Sequence, residues 1–111
     1  MITISTPGKN TVEISDDDKH IKLTDQNKNE IVMNSSGISL SSAKDITLKA
    51  KGAITIEATS KINATAKQDV SLEGLNVKME AKVSATVKGN AKAELSASGQ
   101  TTVKGAMVMI N

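Results

Sequence analysis

The chain has 111 residues, a formal net charge of +2 and a hydrophobic content of 38% that includes no Phe, Trp or Tyr. The lack of cysteine excludes disulfides and thiolate chemistry. The scattered lysines and missing aromatic rings argue against nucleic acid, since single-strand binders use aromatic stacking platforms. Without aromatic side chains, a domain of this size would bury little apolar surface and would be only marginally stable alone.

The first residues, MITISTPGKN, lack a basic start followed by a long apolar run. The sequence therefore predicts neither a signal peptide nor a membrane-spanning segment. Further along, short runs of alternating polar and apolar residues occupy 11–14, 20–23 and 30–33. Polar stretches separate these runs, which predicts a β-meander with tight turns. We assign residues 1–35 to this meander.

An eight-residue repeat begins after residue 36 and is built from pairs of mostly apolar residues two positions apart. The pairs are Ile38 and Leu40, Ile46 and Leu48, Ile54 and Ile56, Ile62 and Ala64, Val70 and Leu72, Val77 and Met79, Ala85 and Val87, Ala93 and Leu95, Thr101 and Val103, and Met109 and Asn111. The step is seven only between Val70 and Val77. Because strands point alternate side chains to opposite faces, this odd step must be absorbed at a corner, which we place at Gly74.

A small residue stands two positions after each of the first nine pairs, as expected for a strand that ends at a crowded inside corner. These residues are Ser42, Ala50, Ala58, Ala66, Gly74, Ala81, Gly89, Ala97 and Gly105. The alternation within each repeat fits a strand rather than the 3.6-residue period of a helix. Outward positions between the paired residues, such as Thr47, Ser71 and Lys78, carry polar side chains that are expected to form a hydrated surface.

Two β-solenoids fit this repeat. One chain could coil on itself, but it would form only about three coils with bare edges at both ends. Three identical chains could instead wind around one axis and share a single core. A narrow three-sided core would also explain the absence of aromatic residues, which would overpack it. We favour an all-β fold in which the short antiparallel strands lead into an intertwined homotrimeric β-helix, a triangular prism formed by residues 36–111.

The segments NEIVMNSSGISL, DITLKAKGAITIEA and VKGAMVMIN occur in an order that resembles VgrG-type spike proteins and related phage spikes. The resemblance covers nearly the whole chain and implies a trimeric spike on an inner tube, driven through a target membrane by sheath contraction. A full VgrG also has a tube-docking base and an oligosaccharide-binding-like domain upstream, and neither fits within 111 residues. The chain is therefore interpreted as an excised needle or as a short spike whose base is another polypeptide.

The last residues resemble the VgrG end that carries a PAAR-repeat cap. The expected cap-binding residues are Gly105, Ala106, Met107, Val108, Met109, Ile110 and Asn111. Three copies of this apolar segment would leave a hydrophobic blunt end that calls for a cap, and methionine adapts well to a partner's shape. The alternative is that Met107 and Met109 simply close the last layer of the core.

No residue pattern indicates catalysis or a cofactor. His20 is the only histidine, and the Asp-rich stretch beside it lacks the spacing of a calcium loop. A nucleophile would need a base held in place by a third group, and the sequence offers none. We therefore predict no enzymatic activity, no cofactor and no metal site.

The predicted function is the shaft of a membrane-piercing spike in a contractile injection apparatus such as a type VI secretion system. Its expected partners are two further copies, a PAAR-repeat cap, an upstream base with the inner tube and, transiently, a target membrane. Assembly in the bacterial cytoplasm followed by secretion or injection is the expected localisation. The alternative is a trimeric stalk of a fibre or adhesin.

Overall fold

The computed structural model describes residues 1–111 and divides them into two compact units, Met1–Ile62 and Asn63–Asn111. The chain contains no helix, and thus none long and apolar enough to cross a membrane. Its five strands are β1 (Ile2–Ser5), β2 (Thr11–Ser15), β3 (His20–Thr24), β4 (Glu30–Asn34) and β5 (Gly37–Ser41). The predicted all-β fold is confirmed.

The five strands form one antiparallel sheet in the order β1-β2-β3-β4-β5, so each strand pairs with its neighbour in sequence. The three predicted runs correspond to β2, β3 and β4. Two strands at the edges were not predicted as part of this sheet. Strand β1 was missed, and β5 holds the first pair of the repeat, Ile38 and Leu40, which lie opposite Met33 and Ile31. The division of the chain near residue 35 stays a prediction.

Three of the four turns place a lysine in the left-handed backbone region. Lys9, Lys19 and Lys28 have φ angles of 70°, 54° and 71°. Two of these turns share one hydrogen-bond pattern, since Lys9 N donates to Thr6 O and Lys28 N donates to Asp25 O. A left-handed residue at the end of such a turn matches the twist of the strands that it joins.

The turn between β3 and β4 is organised by Asp25. Its carboxylate accepts hydrogen bonds from the backbone N–H groups of Asn27 and Asn29 at 3.0 and 2.8 Å and from both side-chain amides at 3.1 Å. The hydrogen bond from the Asn29 backbone is the main cause that lowers the pKa of Asp25 below its ordinary value.

Two asparagine side chains connect this turn to other loops. Asn10 Oδ1 accepts a hydrogen bond from Gln26 N at 2.9 Å, which joins the first turn to the third. Asn29 Oδ1 accepts one from Ala43 N at 3.0 Å, which fixes the chain as it leaves β5. Each asparagine follows a left-handed lysine and precedes a strand, so the dipeptide Lys-Asn is the sequence signal for both connections.

After β5 the chain makes no strand pair with itself, and it bends sharply at regular intervals. The bends lie at residues 43–44, 51–52, 59–60, 67–68, 75, 82–83, 90–91, 98–99 and 106. Each bend directly follows one of the nine small residues predicted to form corners, so those corners are confirmed. The unbent segments between them are six residues long, for example 53–58 and 84–89.

Most bends contain two residues, but those at Leu75 and Ala106 contain one. The bend at Leu75 accounts for the seven-residue step and lies beside Gly74, where the adjustment was predicted. The single-residue bend at Ala106 was not predicted. It shortens the last step, so the pair of inward residues that was expected at Met109 and Asn111, eight residues after Thr101 and Val103, is displaced by one residue.

Candidate trimer interface

The strand register places nearly all the apolar residues of the sheet on one face, in two rows that run across all five strands. Neighbouring residues in each row lie directly opposite one another on adjacent strands. The rows are Ile2, Ile14, Ile21, Met33 and Ile38, and Ile4, Val12, Leu23, Ile31 and Leu40. Because residues two apart on a strand share a face, both rows lie on the same side, which we call the apolar face.

The opposite face of the sheet is mainly polar. His20 Nε2 lies 2.5 Å from Glu13 Oε2, and Lys22 Nζ lies 3.9 Å from Glu30 Oε2. These side chains are partly exposed, and charges of both signs alternate across β2, β3 and β4. A hydrated face of this kind needs no partner, whereas the apolar face does.

The residues of the apolar face are exposed or half-buried, and none is fully buried. A shallow groove of about 400 Å³ runs along this face and is lined by Ile4, Val12, Leu23 and Ile31, among others. The edge-strand residues Ile2 and Ile38 are 61% and 74% exposed, and even Leu23 on the central strand is 39% exposed. A contiguous apolar face of this extent marks an interaction surface.

The chain contains no buried hydrophobic residue. Its only buried side chain is Ser15, whose hydroxyl oxygen accepts a hydrogen bond from Asp18 N at 3.1 Å within the second turn. Hydrophobic burial is the dominant favourable contribution to folding, so a chain without it cannot maintain this structure alone. Other copies must supply the missing contacts.

The repeat region has the same alternation of apolar and polar residues as the sheet. In each six-residue segment the second and fourth positions are mostly apolar and the sixth is small, as in Ile54, Ile56 and Ala58. The first, third and fifth positions alternate with these and are polar in every segment except for Ala53. Two outward ion pairs, Lys78–Glu80 at 3.0 Å and Lys92–Glu94 at 2.8 Å, join such positions. Each segment therefore has one apolar side and one hydrated side.

The residues predicted to bind a cap lie around the last bend. Gly105 ends a six-residue segment, Ala106 is the bend, and residues 107–111 follow it. All seven are exposed, and their role as a docking site stays a prediction. Sequence reasoning did not find the two apolar rows of the sheet, although the alternating Ile2 and Ile4 before Pro7 and Gly8 were a signal for the first strand.

The residues considered for chemistry are not assembled into a site. The His20 ring is engaged by Glu13, and no group of three His, Asp or Glu side chains lies close enough to hold a metal ion. The carboxylates of the second turn instead belong to a turn that is organised by Ser15 and Asp18.

A one-sided sheet, an alternating repeat and the absence of a buried core together define a structural module that is completed by other chains. Residues 1–111 match the family of the phage baseplate V C-terminal trimerisation domain, and the chain belongs to that family. No curated protein matches the chain. Family membership supports a homotrimer with a structural, spike-like role of the phage-tail and VgrG-like type, which is consistent with a protein that is not an enzyme.

Proposed function

We propose that this chain is the shaft of a membrane-piercing spike in a contractile injection apparatus, such as a type VI secretion system or a phage-like tail. Three copies wind into one triangular β-prism and share a core. Assembly takes place in the bacterial cytoplasm, and the spike is then injected or secreted. An upstream base joins it to the inner tube, and a PAAR-repeat cap docks on residues 105–111.

The main support is that no apolar side chain is fully buried within the chain and most are exposed, although the bends of the backbone are regular. No hydrophobic side chain is buried within the chain, yet the bends recur every seven or eight residues. Regular corners and one apolar side per segment suit three strands that close around a common axis. Closure would pair the free backbone groups of each segment with those of the next chain and would remove open edges.

The mechanical role follows from this closed arrangement. Hydrogen bonds between stacked segments would run roughly along the axis of the prism, so a load along the axis would compress a continuous ladder. Polar outward residues such as Thr55 and Thr86 would keep the surface hydrated. No side chain would need to make or break a covalent bond.

The oligomeric state provides the first test. Sedimentation equilibrium of the 111-residue chain is expected to give a single species of three times the monomer mass. A folded monomer would contradict the proposal.

Piercing is tested with contractile particles that carry either the original chain or Ile54→Asp, and the readout is dye release from target vesicles after contraction. We expect release to be lost in the variant, because three carboxylates would face the shared core. Thr55→Asp, which changes the neighbouring outward residue, is the matched control and should release dye normally. Normal release with Ile54→Asp would count against the piercing role.

The alternative, a stalk of a fibre or adhesin, would differ from a piercing spike in the partner that the trimer binds. Saturable binding of the isolated trimer to target cells, without a contractile particle, would favour the stalk. A stable complex with a PAAR-repeat cap and no cell binding would favour the spike.

A further inference from the structure

The last bend changes which residues face the core. At the bend of Leu75, one residue replaces the usual two, and the next apolar pair, Val77 and Met79, comes seven residues after the previous one. The bend at Ala106 also has one residue. The same step of seven after Thr101 and Val103 leads to Val108 and Ile110. A step of eight would instead lead to Met109 and Asn111.

The backbone geometry at the two single-residue bends is similar. A Cβ atom added to Gly74 would lie 3.4 Å from the carbonyl oxygen of Asn76, and one added to Gly105 would lie 3.2 Å from that of Met107. In both cases the neighbour is the second residue after the glycine. At Gly89, which precedes a two-residue bend, the nearest neighbour is instead the carbonyl oxygen of the third residue, Lys92. The bend at Ala106 therefore has the same kind of backbone geometry as the one-residue bend at Leu75.

We infer that Val108 and Ile110 close the shared core and that Met107 and Met109 form an apolar belt on the outer surface of the trimer. Side chains alternate between the two faces of a strand, so the two pairs must face opposite ways. We further infer that this methionine belt is the surface on which the cap docks. This second step rests on the proposed function, whereas the change of register does not.

The belt departs from the rest of the repeat region. Outward positions of the segments are polar in every case except Ala53, and here two successive outward positions carry methionine. In three copies the belt would hold six methionine side chains, which can adapt to the shape of a partner. An exposed apolar ring of this kind is characteristic of a contact surface.

The charges around the belt specify the partner's chemistry. Lys104 is the nearest outward charged side chain, and residues 105–111 contain none. Three copies would place a ring of positive charge directly beside the methionine belt. The partner that fits is a cap with an apolar socket whose rim carries acidic side chains, because complementary charges orient the two surfaces as they meet.

The change of register is tested without any cap by two neighbouring substitutions. Val108→Lys is expected to lower the melting temperature of the trimer, because the ammonium group would enter the core, whereas Met109→Lys should leave it unchanged. A continued step of eight predicts the opposite order. That order, or the absence of an effect in both variants, would overturn the inference.

Methionine oxidation gives an independent measurement on the unmodified trimer. Met79 occupies an inward position of the shaft and is the internal control. In dilute hydrogen peroxide, mass spectrometry should show Met107 and Met109 converted to the sulfoxide at least about tenfold faster than Met79, since oxidation follows exposure. Equal protection of Met79 and Met109 would contradict an outward Met109.

The role of the belt is tested by titrating the trimer with a PAAR-repeat cap. Met107→Lys combined with Met109→Lys is expected to weaken binding by at least about tenfold, and Lys104→Glu by less, while Lys88→Glu on the shaft serves as the charge control. If the original trimer binds the cap and the methionine variant binds equally well, the belt is not the docking surface. If the original trimer does not bind, the proposed cap docking fails, while the register measurements stand independently.

Discussion

The strands of residues 2–41 and the repeats of residues 42–111 depend on other chains to different degrees. In the first region each strand pairs with its neighbour within the chain, so its backbone hydrogen bonds are made locally. Its apolar face, however, is uncovered. In the second region the chain makes no strand pair of its own. Apart from a few hydrogen bonds at residues 42–45, its backbone groups lack partners within the chain, and its apolar side chains are exposed. The repeats should therefore respond more strongly than the sheet to any change that weakens the trimer.

The largest effect is expected from Ile54→Asp in the repeats. The substitution places three carboxylates at one level of the shared core, and burying an unpaired charge costs several kcal/mol for each ion. We expect the trimer to be lost, with sedimentation showing smaller species or aggregates. Thr55→Asp adds the same charge on the outward side and should leave a stable trimer. Retention of the trimer by both variants would contradict the inward position of Ile54.

A substitution on the apolar face of the sheet should destabilise the trimer less than Ile54→Asp in the repeats. Leu23→Ala is expected to lower the free energy of unfolding by about 2 kcal/mol per chain, because it removes apolar contacts with other copies. Lys22→Ala, on the opposite face of the same strand, loses only a partly exposed ion pair and should have an effect below about 1 kcal/mol. Denaturant titration of the two variants would measure the difference. Equal effects would mean that the apolar face is not covered in the trimer.

The all-β fold, three strands and all nine corners were predictable because alternation and small residues are local properties of the sequence. The alignment of ten residues into two rows was not, since it depends on the lengths of four turns acting together. Strand β5 looked like the first repeat because Ile38 and Leu40 have the same spacing in both contexts. The bend at Ala106 was missed because its signal lies in the backbone conformation and residues 107–110 are all apolar, so that only Asn111 distinguishes the two registers.

The corners of the repeats provide a comparison between two glycines. A Cβ atom on Gly89 would lie 2.0 Å from the carbonyl oxygen of Lys92, whereas one on Gly52 would meet nothing within 4 Å. Gly89→Ala must therefore displace the backbone and is expected to destabilise the trimer by about 1–3 kcal/mol per chain. Gly52→Ala should be neutral or slightly stabilising, since it reduces the entropy of the unfolded chain. Thermal unfolding of the two variants measures this contrast, and equal melting temperatures would show that the corner at Gly89 is not tightly packed.

The smallest effect concerns Asp25, which belongs to the locally satisfied region. Hydrogen bonds from the Asn29 backbone, and then from Asn27 and the Asn29 side chain, lower the pKa of this carboxyl group in the folded chain. A lowered pKa means that the ionised group contributes stability above the unfolded pKa and loses that contribution as the pH falls through the folded pKa. Asp25→Asn should therefore lower the melting temperature slightly at pH 7, and its difference from the original chain should shrink in acid below the usual Asp range. Because Asp25 is a half-buried turn residue that still contacts solvent, the change should be far smaller than that of Leu23→Ala. A difference that grew in acid would contradict the role assigned to the Asn29 N–H group.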